Sequence, residues 1–173
     1  MATVSSISEE EEMPVDIAKD VQITYSDSGN IKMRLNSELM KTYEGEEPYM
    51  EMPEGLYVRF YDSSGNIKST LTSNYAVSYE KSRIMEARND VVVVNAKDER
   101  LNTEHLIWDQ KKRKIFSDEY VKITTEDKIL SGEGLEADEE MNNYTILKPR
   151  GPIYLNEDFG AKKNTRKDTA KSR

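Results

Sequence analysis

The sequence predicts an all-β fold, on the basis of three observations. Segments such as "LYVRFYD" (56–62) alternate apolar and polar residues with period two, which is typical of strands that bury one face. Short polar turns such as "DSSGN" (62–66) and "KDER" (97–100) separate these segments. Only "NSELMKTYE" (36–44) could form a helix, and it is short for one.

The strand segments follow one another along most of the chain. They are "LYVRFYD" (56–62), "NIKSTLT" (66–72), "NYAVSYE" (74–80), "DVVVVNA" (90–96), "LNTEHLIWD" (101–109), "RKIFSD" (113–118), "YVKITT" (120–125), "KILSGEGLEA" (128–137) and "NYTILK" (143–148). The valine run in the fourth segment suits a strand that is covered on both faces. Such a succession is typical of a sandwich, a jelly roll or a stack of hairpins.

Two nearly identical octapeptides occur, "YSDSGNIK" (25–32) and "YDSSGNIK" (61–68). Their oxygen donors suggest calcium, but neither copy has the spacing of an EF-hand loop or the tandem glycines of a calcium-binding β-helix. Ser-Gly-Asn supplies residues that tolerate positive φ in tight turns. Each copy is therefore predicted to be a hairpin turn, with Ile31 and Ile67 beginning the returning strands on one face.

Composition and charge divide the chain into three parts. Residues 1–19 are predicted to be a flexible acidic linker, residues 20–154 a β-domain, and residues 155–173 a disordered basic tail. The net charge of −8 argues against a nucleic-acid partner. The chain has no cysteine, which excludes disulfides, zinc thiolates and thiol catalysis.

No set of residues indicates chemistry. His105 is the only histidine and has no neighbouring nucleophile motif, so an ordinary strand histidine is the favoured interpretation. Asp and Glu are too plentiful for any two to stand out as a glycosidase pair. We therefore predict a protein that is not an enzyme, with no catalytic residues, no metal site and no cofactor.

The second half of the domain carries a family resemblance. It rests on the ordered series Leu101-x-Thr103, Leu106-x-Trp108-Asp109, Ile115-x-Ser117, Val121-x-Ile123, Gly132-x-Gly134-Leu135-x-Ala137-Asp138 and Tyr144-x-Ile146. This series resembles the LptC family of lipopolysaccharide export proteins and the OstA-like domains related to it. Upstream segments such as "GLYVRFYDSSGNIKSTLTSNYAVSY" (55–79) look like the form found in Bacteroides-like bacteria, so the resemblance extends from near Val21 to near Gly151.

The resemblance implies an elongated, twisted antiparallel β-jelly roll, open along one seam, whose groove receives the acyl chains of lipopolysaccharide. Such a protein sits at the periplasmic face of the inner membrane through an N-terminal anchor, which is not visible in this sequence. It accepts lipopolysaccharide from the subunits of an inner-membrane ABC transporter. It then passes the lipid to a like-folded periplasmic bridge protein by edge-strand pairing, without covalent chemistry.

Period-two register gives the candidate lipid-binding residues, which either line the groove or fill the core. They are Val58, Phe60, Leu71, Val77, Met85, Val92, Val94, Leu106, Trp108, Ile115, Val121, Ile123, Leu130, Leu135, Tyr144 and Ile146. A slip of one residue would move any strand's candidates to the opposite face.

Two alternatives stay open at this point. The chain could be the soluble periplasmic bridge protein of the same system, which would carry a cleavable signal peptide instead of an anchor. It could also be an extracellular glycan-binding or adhesin β-sandwich, which predicts a closed core and an exposed aromatic platform.

Overall fold

The computed structural model describes residues 12–155, and all regular structure in that range is β-strand, which confirms the all-β prediction. The strands are β1 (Asp16–Asp27), β2 (Asn30–Tyr43), β3 (Tyr49–Met52), β4 (Leu56–Tyr61), β5 (Ile67–Ser73), β6 (Tyr75–Tyr79), β7 (Ile84–Asn95), β8 (Arg100–Asp109), β9 (Lys114–Ser117), β10 (Val121–Thr124), β11 (Lys128–Gly132), β12 (Leu135–Asp138), β13 (Tyr144–Ile146) and β14 (Arg150–Tyr154). The predicted linker residues 1–11 and tail residues 156–173 lie outside the described range. Residues 16–19, assigned to the linker from the sequence, belong to β1 instead.

The long strands β1, β2, β7 and β8 fold the sheet into two layers. Residues 84–88 of β7 pair with β6, whereas residues 92–95 pair with β5. The two halves of β2 and β8 likewise pair with different short strands. Layer A contains β3, β6, β9, β12 and β13, and layer B contains β4, β5, β10, β11 and β14, with the long strands passing through both.

The chain passes between layers along one line, which we call the corner. In β1 and β2 the pairing skips Asp20, at φ 51°, and Glu38 opposite it. In β7 the corner is a bulge at Asn89 and Asp90, at φ 64° and 51°, opposite Glu104 of β8. The amide of Asp90 donates to Glu104 Oε2 at 3.1 Å. Bulges of this kind bend strands, so these polar, exposed residues mark where each long strand turns.

Two glycines allow the short strands to cross at the corner. Gly55, between β3 and β4, has φ +84°, and a Cβ there would lie 2.1 Å from the carbonyl oxygen of Ser73. At Gly132, the end of β11, a Cβ would lie 2.3 Å from Cγ2 of Ile146. Backbone and side chains approach too closely at both positions for any larger residue.

The core lies between the layers. One buried cluster joins Val121 and Ile123 of layer B to Leu135 of layer A. The other joins Val58 of layer B to Met52 of layer A, together with Leu35 and Ala76. Leu71 packs against both clusters, so the apolar faces of the two layers meet along the length of the domain.

Both octapeptide copies form hairpin turns, as predicted. Ser28 and Gly29, at φ 53° and 82°, connect β1 to β2. The second copy connects β4 to β5 through a longer loop that contains Gly65, at φ 83°, and Asp62 Oδ1 accepts hydrogen bonds from the amides of Ser64 and Asn66. The positive φ values explain why glycine follows serine in both copies.

One segment agrees with the all-β prediction, and the assignment of another was wrong in detail. The segment "NSELMKTYE" lies within and just beyond β2, where pairing with β1, β3 and β4 holds it as a strand. The segment "KILSGEGLEA" is two strands, β11 and β12, because the chain crosses the corner at Glu133 and Gly134. An unbroken sequence pattern does not show where a strand changes layer.

Candidate functional site

The face of each layer that looks toward the other layer, here called the inner face, carries thirteen of the sixteen candidate residues. They are Val58, Phe60, Leu71, Met85, Leu106, Trp108, Ile115, Val121, Ile123, Leu130, Leu135, Tyr144 and Ile146. They come from nine strands of both layers and form continuous cross-strand rows. The row Met85, Trp108, Ile115 runs from β7 through β8 to β9. The prediction that these residues contact lipid stays a prediction.

Val77 lies on the opposite, outer face, so its predicted inward position was wrong. It pairs with Glu51 and Glu86, while its neighbour Ala76 enters the core opposite Met52. Val77 is nevertheless only 3% exposed. In β6 the small residues face inward and the large ones outward, so the apolar alternation pointed to the wrong face.

Val92 and Val94 also lie on the outer face, and their predicted inward positions were wrong. Val91 is completely buried and Val93 packs against the core between them. Val92 pairs with Thr72 and Asn102, which are exposed or half-buried polar residues. Four consecutive valines contain no alternation, so the sequence could not determine which pair faces inward.

Exposure on the inner face increases with distance from the corner. Val121 and Leu135, near the corner, are completely buried. Further along the strands, Ile115 and Leu130 are half-buried, and Tyr144 is 40% exposed. The inner face is thus fully covered at the corner and only partly covered toward the hairpins. A ligand with apolar chains could contact the half-buried rows without disrupting the buried ones.

At the corner, where the hydrogen-bond ladders between strands are interrupted, Ser and Thr hydroxyl groups donate hydrogen bonds to backbone carbonyl oxygens. Ser37 Oγ donates to the carbonyl oxygen of Gly55 at 2.8 Å. Ser73 Oγ donates to the carbonyl oxygen of Tyr75 at 2.9 Å, and Thr103 Oγ1 to that of Tyr120 at 3.0 Å. Sequence reasoning missed these residues. The available signal was a Ser or Thr at an inward strand position, next to a place where the chain changes layer.

Among the described residues, Trp108 supplies the one buried side-chain polar atom on the inner face that has no hydrogen-bond partner. Its indole Nε1 is buried and has no hydrogen-bond partner within residues 12–155. The ring lies in the row between Met85 and Ile115, two half-buried apolar side chains. A buried N–H without an acceptor is costly, so this group could donate to an oxygen of a bound ligand.

The lone histidine joins two carboxylates near the corner. Its Nε2 lies 2.9 Å from Glu86 Oε2, and its Nδ1 lies 3.4 Å from Asp118 Oδ1. Glu86 also accepts a hydrogen bond from Arg88 Nε at 3.0 Å. Burial raises the pKa of Glu86, but hydrogen bonds from Arg88 and His105 outweigh burial and hold the net pKa below its usual value. This cluster lies on the outer face and connects β7, β8 and the β9–β10 crossing.

Both ends of the stacked strands carry free edges with exposed apolar side chains. At one end, within residues 12–155, β1 pairs only with β2, and Ile17 is 54% exposed. At the other end, β14 has β11 as its only partner among the described strands, and Ile153 is 61% exposed. Unpaired backbone at an edge can add a strand from another protein.

The described range carries neither a candidate metal site nor a candidate membrane-spanning helix. Residues 12–155 contain no group of three or more His, Asp or Glu side chains suited to a metal ion. No helix with the length and apolar character of a membrane span occurs in the same part of the chain.

Comparison with known proteins gave one family. The family model described as "Lipopolysaccharide-assembly, LptC-related" matches residues 5–150. This match covers all strands from β1 to β13, both layers and all sixteen candidate residues. No curated protein matches the chain.

Proposed function

Because the chain belongs to the LptC-related family of lipopolysaccharide-assembly proteins, we propose that it is a non-enzymatic scaffold that carries the acyl chains of lipopolysaccharide between its two layers. The family places the protein in lipopolysaccharide transport. The observation that supports a carrier role is the rise in exposure along the inner face. Half-buried apolar rows continue across strands of both layers beside a closed core.

The proposed mechanism is the shielding of acyl chains from water. Exposing a chain costs about 0.8 kcal/mol for each methylene group, so several chains cannot cross an aqueous space unaided. Contact with Phe60, Met85, Ile115 and their neighbours would replace that water. The Trp108 indole N–H could donate to an ester or amide oxygen near the head of the chain. The scaffold lowers the barrier, and the energy for transport comes from the ABC transporter.

The free edges suggest how lipid would be received and passed on. An inner-membrane ABC transporter would deliver lipopolysaccharide at one edge, at the periplasmic face of that membrane. A like-folded bridge protein would pair with the other edge and extend the inner face into a longer groove. Exposed Ile17 and Ile153 beside unpaired backbone support edge pairing at both ends.

Photocrosslinking from neighbouring residues tests the groove. A photoreactive amino acid at Val93 or Ile115, on the inner face, should form adducts with lipopolysaccharide. The same amino acid at Val92 or Phe116, the outer-face neighbours on the same strands, serves as the control. We expect at least a tenfold excess of adducts from the inner positions. Equal yields from both faces, or none from the inner face in folded protein, would refute the groove.

Substitutions at the edges test the hand-off separately. Ile153→Lys and Ile17→Lys place a charge beside the unpaired backbone of β14 and β1, and each should weaken capture of a partner at that edge. Ile67→Lys, at the β4–β5 hairpin, is the control because Ile67 is similarly exposed at 47% but lies away from both edges. Capture that is unaffected by both edge substitutions would exclude edge pairing while leaving the groove intact.

A further inference from the structure

Two arginines lie directly opposite each other on the outer face of layer B. Arg34 of β2 pairs with Arg59 of β4 in the antiparallel register. Like charges in this position repel each other and normally destabilise a sheet. No carboxylate within residues 12–155 lies within the 4.0 Å of an ion pair with either guanidinium. The pair therefore carries two positive charges that the described part of the protein does not neutralise.

Hydrogen-bond donors of the pair are also left without acceptors. The Nε atoms of Arg34 and Arg59 are both buried and have no partner. Arg59 Nη2 donates to Asn36 Oδ1 at 3.1 Å, which leaves its other donors available. The rings of Tyr61 and Tyr57 lie 5.8 and 5.5 Å from the two guanidinium carbons and hold the arginines in place.

The neighbouring strands extend this arrangement into a row of donors. Thr24 of β1 pairs with Arg34, and Thr70 of β5 pairs with Arg59. The row Thr24, Arg34, Arg59, Thr70 thus crosses four strands without an acidic residue. A cleft of about 350 Å³ between the two octapeptide hairpins begins beside it, lined by Arg34, Tyr61 and Asp62 among others. The Asp62 carboxylate in that cleft is already engaged by amides of its own hairpin.

We propose that this row is a binding site for a phosphate-class anion. Arginine presents planar pairs of N–H groups that match phosphate oxygens, and two adjacent guanidinium groups can hold one phosphate between them. Binding would neutralise the repulsion between the arginines and supply acceptors for the terminal guanidinium donors that Asn36 does not engage. The site lies on the opposite face of the sheet from the groove, so it does not depend on the proposed carrier function.

Four forms of the 173-residue chain test this site: wild type, Arg34→Gln, Arg59→Gln and Arg100→Gln. Arg100 is an exposed arginine on the same outer face, so its variant is a matched control for charge. Both test variants should fold, because removing one guanidinium relieves the repulsion. Two ligands are compared: inorganic phosphate, against sodium chloride at equal ionic strength, and phosphatidylglycerol vesicles, against phosphatidylcholine vesicles.

We expect phosphate to raise the melting temperature of wild type and Arg100→Gln, with at least tenfold weaker binding by Arg34→Gln and Arg59→Gln. That result supports a site for free phosphate groups. The protein could instead float with phosphatidylglycerol vesicles only when both arginines are present, and show no response to inorganic phosphate. That result supports the same site, with the phosphate group of a lipid headgroup as its ligand. Binding to neither ligand, or an equal loss of binding in Arg100→Gln, would overturn the proposal.

Discussion

Replacing Thr103 by valine tests whether the hydroxyl residues at the corner hold the two layers together. Valine keeps the shape of the side chain but removes its hydroxyl group. Thr103 is 6% exposed, and its Oγ1 lies 3.0 Å from the carbonyl oxygen of Tyr120 and 3.2 Å from Ser117 Oγ. The substitution therefore leaves a carbonyl group without its partner where the chain crosses from β9 to β10.

A buried polar group that loses its partner costs about 1–3 kcal/mol. For a chain of this length each kcal/mol corresponds to about 2–4 °C in melting temperature, so Thr103→Val should lower it by about 2–12 °C. Thermal unfolding followed by circular dichroism measures the shift. Thr72→Val is the control, because Thr72 is an exposed residue on the outer face and its substitution should change stability by less than about 0.5 kcal/mol. Equal melting temperatures for the two variants would refute the reasoning.

Three further predictions concern stability. Leu135→Ala, at a completely buried position, should cost about 2–5 kcal/mol in urea unfolding, and a cost near zero would contradict the assigned core. Gly55→Ala should abolish soluble folded protein, since the new Cβ would meet the Ser73 carbonyl; wild-type melting behaviour would contradict this. Burial, and then hydrogen bonding to Glu51, raises the pKa of Tyr75 from 10.0 to about 12. The stability from protonated Tyr75 is therefore present below pH 10 and lost as the pH rises to about 12. Tyr75→Phe should flatten that loss in alkaline unfolding, and an unchanged pH dependence would argue against the hydrogen bond.

Much of the fold could be predicted from the sequence, through the residues that favour turns and the alternation of apolar and polar residues in strands. The two octapeptides became hairpins because Gly29 and Gly65 adopt a positive φ, a preference that belongs to the residue itself. The strands that contain Val58 and Leu106 were predicted correctly, because the alternation of apolar and polar residues can be recognised within one short segment. The same local argument failed at Val77 and Val92, where apolar residues occur on both faces of the strand.

The candidate site depends more strongly on pairing between distant segments. Val93, which sequence reasoning did not select, lies on the inner face only because the bulge at Asn89 and Asp90 sets the register of β7. The hydroxyl of Thr103 acquires its role only when the β9–β10 crossing brings the Tyr120 carbonyl beside it.

By itself, the sequence determined the all-β class, the position of most turns and the resemblance to a family, because these depend on residue types and short spacings. The tertiary structure decided which face of each strand is inward, where strands change layer, and that Arg34 and Arg59 stand side by side. These features depend on register between strands far apart in the chain. Burial energy is summed over the whole of both layers, so it can override a local pattern in any one strand.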